Sequence, residues 1–263
     1  MTAKRPLIAL LTDFGTADFF VASLKGVILS INPEARIEDV SHEVPAFDIA
    51  AGAFILSACA PLFPAGTVFV AVVDPGVGSG RRVLCARTAR HVFVAPDNGL
   101  LGPVLGRETA LEVREVANPD FRLAAVSRTF EGRDVMAPAA AWISLGVEPA
   151  ALGPRLAGYR KLSVKGPVYG KRGISGSVLY ADRFGNLITN IPAAAPLSGG
   201  KGRVRLRAAG RVLERRDAYA SAAKGEVFFL EGSLGLVEIS AREASAAREL
   251  GIGPGAPVLI TAG

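Results

Sequence analysis

Three apolar runs near the start of the chain each stop at an aspartate that is followed two residues later by glycine. They are PLIALLTDFG at Asp13, TVFVAVVDPGVG at Asp74 and HVFVAPDNG at Asp97. Short apolar runs bounded by Gly and Pro predict buried strands of an α/β sheet. In such sheets ligands sit beyond the carboxyl ends of the strands. Three carboxylates on one sheet edge are therefore expected to form a site for something with hydroxyls or positive charge. Each aspartate taken alone could equally be an ordinary strand-ending turn residue.

Between the strands the period changes. Apolar residues recur at helical spacing from Asp18 to Ile31, ARIEDVSH reads as a further strand, and Asp48 to Ala60 reads as a helix capped by Asp48. RVLCART is another strand, and Asp134 to Leu145 another helix. Alternating strands and helices predict a largely parallel, three-layer α/β domain. Beyond it the text turns rich in Gly, Pro, Arg and Lys, without periodicity. The segments ISGSVLYA, LITNI, RVRLRAA, RVLERR, EVFFLEG, LGLVEIS and PVLITA follow, interrupted only by the helical REASAAREL. They predict a small antiparallel β-barrel. The expected organisation is an α/β domain at 1–155, a linker at 156–172 and a β-barrel domain at 173–263.

Composition narrows the function classes. Half of the 263 residues are hydrophobic and 21% are charged, which suits a folded globular protein. The apolar run after MTAKR is too short for a signal peptide, and no stretch is long enough for a membrane span, so no membrane partner is expected. Cys59 and Cys85 sit in apolar contexts and fit core positions in a reduced, cytoplasmic setting. With His42 and His91 they do not assemble into a zinc site, and no metal is expected. The excess behind the net charge of +6 lies largely in the second half, for instance at Lys201, Arg203, Arg205, Arg207 and Arg211. In KGRVRLRAAGRVLERR these alternate with Val and Leu, as on the wet face of a half-buried hairpin, and stacking aromatics are missing. Nucleic acid is not an expected partner.

The glycine cluster from Asp74 to Gly80 has the wrong spacing for a dinucleotide loop, and Arg81–Leu84 continues into a strand rather than a helix. No Walker lysine follows it. It reads instead as a turn that returns Arg81 to Asp74, within reach of a charge-assisted hydrogen bond. Such a pair is either a structural ion pair or a carboxylate that orients water beside a tuning arginine.

LTDFGTADFFVASLKGVI, IEDVSHEV, FPAGTVFVAVVDPGVGSGRR, APDNGL, TFEGRDVMAPAA, ADRFGNLITNI and EGSLGLVEIS occur in that order over nearly the whole chain. Together they resemble the S-adenosylmethionine hydroxide adenosyltransferases, a family related to the fluorinase and the chlorinase. The resemblance implies an N-terminal α/β domain, a C-terminal β-barrel, and a homotrimer with active sites between subunits. It implies that S-adenosylmethionine is the substrate and that no cofactor is needed. Water would displace methionine from the ribose C5′, giving adenosine. By the same resemblance Asp13 would bind the ribose diol, and Asp18 and Asp182, helped by Ser233, the methionine ammonium. Phe184 and Asn186 of the FGN motif would face the nucleoside, and Phe130 would pack beside the ligand, although simple core packing would also account for Phe130 and Phe184.

One position departs from the family pattern. Hydrolytic members use an Asp–Arg–His set on the water; Asp74 and Arg81 match, but Glu131 stands where the TFHGRD histidine is expected. Either Glu131 replaces the imidazole as a base or hydrogen-bond partner, or turnover is impaired. The alternatives to hydrolysis are a halide-using adenosyltransferase and a non-catalytic adenosine or S-adenosylmethionine binder, with a basic nucleic-acid-binding protein more remote.

Overall fold

Alternate residues of the central strands pack on opposite sides of one sheet, and both sides are dry. In the computed structural model, which describes residues 7–163, 165–194 and 204–262, β1 (Leu7–Thr12) and β3 (Val68–Val72) are buried along almost their whole length. Ile8, Leu10, Val68, Val70 and Val72 share one core cluster with Leu24 and Ile28 of α1 (Phe20–Ile31) and with the alanines of α4 (Ala137–Ser144). On the other face Phe69 stacks on Phe93 of β5 (Val92–Pro96), centroids 5.1 Å apart. Continuous apolar strands are what burial on both faces requires.

The sheet order is β2-β1-β3-β5-β4-β6, with β2 at Arg36–Ser41, β4 at Val83–Arg87 and β6 at Glu112–Glu115. β2, β1, β3 and β5 run parallel, whereas β4 is antiparallel to both β5 and β6. The sheet is thus largely parallel, as expected, with an antiparallel edge. Asp13, Asp74 and Asp97 follow β1, β3 and β5, three neighbouring parallel strands, and so lie at one carboxyl edge. Helix α2 (Ile49–Cys59) starts where predicted: the Asp48 carboxylate accepts the Ala51 N–H at 2.9 Å. Such a cap contributes about 1 kcal/mol. Two shorter helices, α3 (Gly102–Arg107) and α5 (Pro149–Leu152), complete this part.

The chain divides into two compact units, Met1–Ser163 and Val164–Gly263. The second is a nearly closed antiparallel barrel of order β11-β10-β14-β8-β9-β13-β12, with the short β7 (Val168–Gly170) paired to β8 (Gly173–Ala181). β7 thus puts a strand inside the stretch read as linker. The other strands are β9 (Leu187–Pro192), β10 (Val204–Ala208), β11 (Arg211–Glu214), β12 (Val227–Glu231), β13 (Leu236–Ala241) and β14 (Pro257–Ala262). An Arg216 N–H bond to the Phe229 carbonyl, 2.9 Å, brings the two ends of that order together. The only helix longer than one turn among its described residues is α6 (Ala246–Leu250), within the predicted REASAAREL. On the β10–β11 hairpin Arg205, Arg207 and Arg211 are exposed while Leu206 and Leu213 are buried, the alternation expected of a wet strand face. Lys201 and Arg203 lie outside the described residues.

Candidate active site

The turn after β3 does what its sequence suggested. Asp74 to Gly80 folds back so that Arg81 Nε donates to Asp74 Oδ1 at 2.8 Å and Nη2 to Asp74 Oδ2, a bidentate pair. Gly78 makes this possible: its φ is +76°, and a β-carbon there would lie 2.3 Å from the Arg128 carbonyl oxygen. Arg128 Nη2 in turn donates to the Gly78 carbonyl at 3.2 Å, lacing the turn to the segment before Phe130. Gly78→Ala is expected to lower the melting temperature, by a strain of about 1–2 kcal/mol from the backbone alone, and to reduce turnover by displacing Arg81. Circular-dichroism melts and initial rates check both.

Glu131 reaches the same guanidinium nitrogen that Asp74 Oδ2 meets, with Oε2 2.6 Å from Arg81 Nη2. The approach is off the hydrogen-bond direction, so Glu131 Oε2 keeps capacity for another donor, and Arg81 Nη1 is also buried without a partner among the described residues. The side chains of Asp74 and Arg81 are each 5% exposed and that of Glu131 20%. Burial alone would lower the guanidinium's proton affinity, but the hydrogen bonds to Asp74 and the charges of Asp74 and Glu131 outweigh it and hold the pKa above its ordinary value. Arg81 is therefore a fixed cation between two carboxylates. Glu131 opens a five-residue π-helical stretch, Gly132–Met136, that runs into α4. Its carboxylate at a helix start is favourably placed against the helix dipole, and π-turns recur at functional sites.

Asp74 and Glu131 line a cavity of about 290 Å³ with Asp13, Phe14, Phe47 and Phe130. Asp13 Oδ2 accepts the Phe47 N–H at 2.8 Å; Oδ1 has no protein donor among the described residues. The loop carrying Asp13 is stitched by His42, whose carbonyl accepts the Gly15 N–H at 2.8 Å and whose Nδ1 lies 2.8 Å from Thr12 Oγ1. Phe130 is 9% exposed and meets Phe14 and Phe20 edge-on, so it both lines the cavity and packs in the core. Asp18 is exposed on the loop before α1 and does not line this cavity.

Asp97 corrects the expectation of three carboxylates in one site. It is 3% exposed and bound by Arg82 Nε at 2.9 Å and by the Arg160 N–H at 2.7 Å. Its oxygens are satisfied by the fold, away from the cavity shared by Asp13 and Asp74. The edge carries two site carboxylates and one structural one.

The remaining expected site residues lie in the barrel, around a second cavity of about 1080 Å³ lined by Asp182, Phe184, Asn186 and Ser233. Asp182 is the organiser of the FGN turn. Its Oδ1 accepts the Phe184 and Asn186 N–H groups at 2.9 and 2.8 Å, and its Oδ2 accepts Asn186 Nδ2 at 2.9 Å. Asn186 is nearly buried, whereas Phe184 is 76% exposed, which excludes core packing within the barrel as its role. No group of three or more His, Cys, Asp or Glu side chains among the described residues could hold a metal ion. Both thiols are free and pushed up by burial, Cys59 to about 11 and Cys85 to about 12, which makes them poor nucleophiles.

Two residues at these cavities escaped the sequence reading. Phe47 is 72% exposed at φ +66° and lines the first cavity. Its signal was an aromatic between Pro45 and Asp48 in the loop after β2, at the edge where ligands bind. Glu238 lines the second cavity, and its signal was an acid within the otherwise apolar strand LGLVEIS.

Comparison with known proteins shows the family. Residues 8–153 match the SAM hydroxide adenosyltransferase N-terminal domain and residues 176–259 its C-terminal domain. The chain is 38% identical to an (R)-S-adenosyl-L-methionine hydrolase of Salinispora arenicola, over 99% of this chain and 100% of that one. It is 36% identical to a Thermus thermophilus protein of the same name, over 94% and 96%, and 30% identical to a fluorinase of Nocardia brasiliensis, over 72% of each. A crystal structure of a conserved protein from Thermotoga maritima superposes with a TM-score of 0.91 at 34% identity, covering 97% of this chain and 99% of that one. The chain belongs to the SAM hydroxide adenosyltransferase family.

Proposed function

We propose that the protein hydrolyses S-adenosyl-L-methionine to adenosine and L-methionine. The observation that carries this reading is the Asp74–Arg81–Glu131 constellation at the wall of a cavity that also holds Asp13. A water oxygen attacks ribose C5′, the C5′–S bond breaks, and the bonding pair returns to sulfur as the sulfonium becomes the neutral thioether of methionine. The water's proton passes to a carboxylate. Asp74 is the base, and Glu131, whose Oε2 retains acceptor capacity, fixes the water's second proton. Arg81, charged throughout, holds both carboxylates in place beside the water. Asp13 holds the ribose diol through the oxygen not engaged by Phe47.

The charge balance favours water over halide. Before substrate arrives, Asp74, Glu131 and Arg81 sum to one net negative charge. A unit repulsion at 4 Å is about 4 kcal/mol at an effective dielectric near 20, enough to reduce halide occupancy several hundred-fold. Incubation with S-adenosylmethionine in molar chloride is expected to yield adenosine and no chlorinated nucleoside on chromatography. Intact substrate, or a chlorinated product, overturns the reading. Glu131→His is expected to preserve or raise activity, since histidine also bonds the water while removing the second carboxylate.

The assembly we propose is a homotrimer whose active sites lie between subunits. This is supported by the family and by the way nucleoside-type and amino-acid-type groups are divided between two cavities, one in each unit. A monomer by light scattering at micromolar concentration, still fully active, contradicts it. The reaction needs no cofactor and no metal. We place the protein in the cytoplasm, with neither a membrane nor nucleic acid as partner. The free thiols, the wet arginine face of the β10–β11 hairpin and the lack of a membrane-crossing helix among the described residues are consistent with this.

A further inference from the structure

β1 reads LIALLT, an apolar run closed by a threonine, and Thr12 is fully buried. The ring beside it, His42, is 4% exposed. Neither lines the cavity of Asp13 and Asp74, and the proposed chemistry uses neither. A hydroxyl and an imidazole out of water are costly unless bonded. Here they meet each other, Thr12 Oγ1 lying 2.8 Å from His42 Nδ1. Behind the ring, Asp39 Oδ1 lies 3.0 Å from His42 Nε2, off the hydrogen-bond direction, and Asp39 Oδ2 accepts from Lys25 Nζ at 2.7 Å. A carboxylate on that side favours the proton on Nε2. Nδ1 then accepts the Thr12 hydroxyl, which has no other acceptor among the described residues. Thr12 Oγ1 in turn accepts the Phe14 N–H at 3.2 Å. The line from Lys25 through Asp39, His42 and Thr12 thus ends on the backbone amide that follows Asp13.

This line stands where the sheet stops aligning its own strands. The β1–β2 register slips between Leu10 and Leu11, and such irregularities re-aim side chains beside active sites. Past the slip, the Gly15 N–H bonds the His42 carbonyl at 2.8 Å and the Val44 N–H the Thr12 carbonyl at 3.4 Å. These bonds and the Thr12–His42 contact join the Asp13 loop to the loop that leads to Phe47, whose N–H holds Asp13 Oδ2. The direction of the remaining Asp13 oxygen is therefore set by both loops together.

We propose that His42 is a positioning residue. Through Thr12 it fixes the orientation in which Asp13 presents its free oxygen, and with it the selection of a ribose diol. This rests on the reading of Asp13 as the diol carboxylate. Hydrogen bonds to two neighbouring hydroxyls are directional and weaken when the carboxylate tilts. The contacts of Phe14, Phe47 and Phe130 in the same cavity are apolar and largely non-directional, so a small tilt leaves them in place. Loss of the Thr12–His42 contact should therefore be felt at the diol and not at the rest of the nucleoside.

Thr12→Val removes the hydroxyl at nearly constant shape, and Thr12→Ser keeps it. The ligands for calorimetric titration are adenosine and 2′,3′-dideoxyadenosine, which has the same base and 5′-hydroxyl but no diol. Thr12→Val is expected to weaken adenosine about fivefold or more, the scale of one hydrogen bond, and to leave dideoxyadenosine within about twofold. Thr12→Ser should retain most of the wild-type preference. In an Asp13→Ala background Thr12→Val should add nothing to the loss of adenosine, because the group it positions is gone. If Thr12→Val does not fold, His42→Gln carries the test, since it keeps an amide toward Asp39 and removes the acceptor for Thr12. Equal weakening of both ligands, no weakening of either, or additive losses with Asp13→Ala overturn the inference and leave the role of Asp13 intact. A wild type that does not prefer adenosine to dideoxyadenosine overturns the diol role of Asp13, and the inference with it.

Discussion

Asp74→Asn lowers the turnover of S-adenosylmethionine by about 10²–10⁴-fold, the usual range for loss of a general base. The amide keeps the size of the carboxylate and can still accept one Arg81 N–H, so the turn from Asp74 to Arg81 survives. What disappears is the acceptor for the water's proton and one of the two charges that hold Arg81 in place. Because Asp74 acts on the nucleophile, the loss should appear in kcat with KM little changed. Glu131 tempers the effect: a second carboxylate against the same guanidinium can take part of the proton's path, which sets the lower end of the range. Steady-state rates at saturating substrate measure it. Wild-type turnover in Asp74→Asn, with the fold intact by circular dichroism, removes Asp74 from the chemistry.

Asp13→Ala weakens nucleoside binding by about 1.5–3 kcal/mol, the scale of a hydrogen bond to a charged group. Two interactions are lost at once. The oxygen not engaged by the protein would hold the ribose diol, and the other anchors the exposed Phe47 by its N–H. Phe47 sits at φ +66°, a conformation held against its own preference, so freeing its N–H lets that edge of the cavity relax. Calorimetric titration with adenosine reads the loss directly. Asp13→Asn separates the two contributions, because its side-chain oxygen can still accept the Phe47 N–H while the charge is gone. An unchanged affinity in Asp13→Ala places the ribose elsewhere.

The strands were legible because burial on both sheet faces, or on one face of a barrel, writes itself directly into runs and alternations of apolar residues. The bidentate pair of Asp74 and Arg81 was legible for a similar reason: only a tight glycine turn separates them, so local chain geometry brings them together. Asp97 could not be sorted from Asp13 and Asp74 by the same signs. What makes it structural is Arg82, just before β4, and the backbone of Arg160, the second of them 63 residues away. The direction of β4 and the pairing of β7 likewise depend on partners chosen in three dimensions. The π-helical stretch at Gly132–Met136 has no periodic signature, since one widened turn is compatible with the same apolar pattern as an α-helix. Asp182 matched a ligand-binding motif, but the motif did not show that its Oδ1 also holds the backbone of its own turn and its Oδ2 the Asn186 side chain. Glu238 was hidden because a single acid in an apolar strand reads as an outward-facing position until the burial of its neighbours is known.

In the proposed reaction water attacks ribose C5′ beside Asp74 and Glu131. Turnover of S-adenosylmethionine in ¹⁸O-labelled water, with mass spectrometry of both products, tests it most directly. One labelled oxygen is expected on the 5′-hydroxyl of adenosine and none in methionine. Unlabelled adenosine, or label incorporated into the amino-acid product, contradicts it.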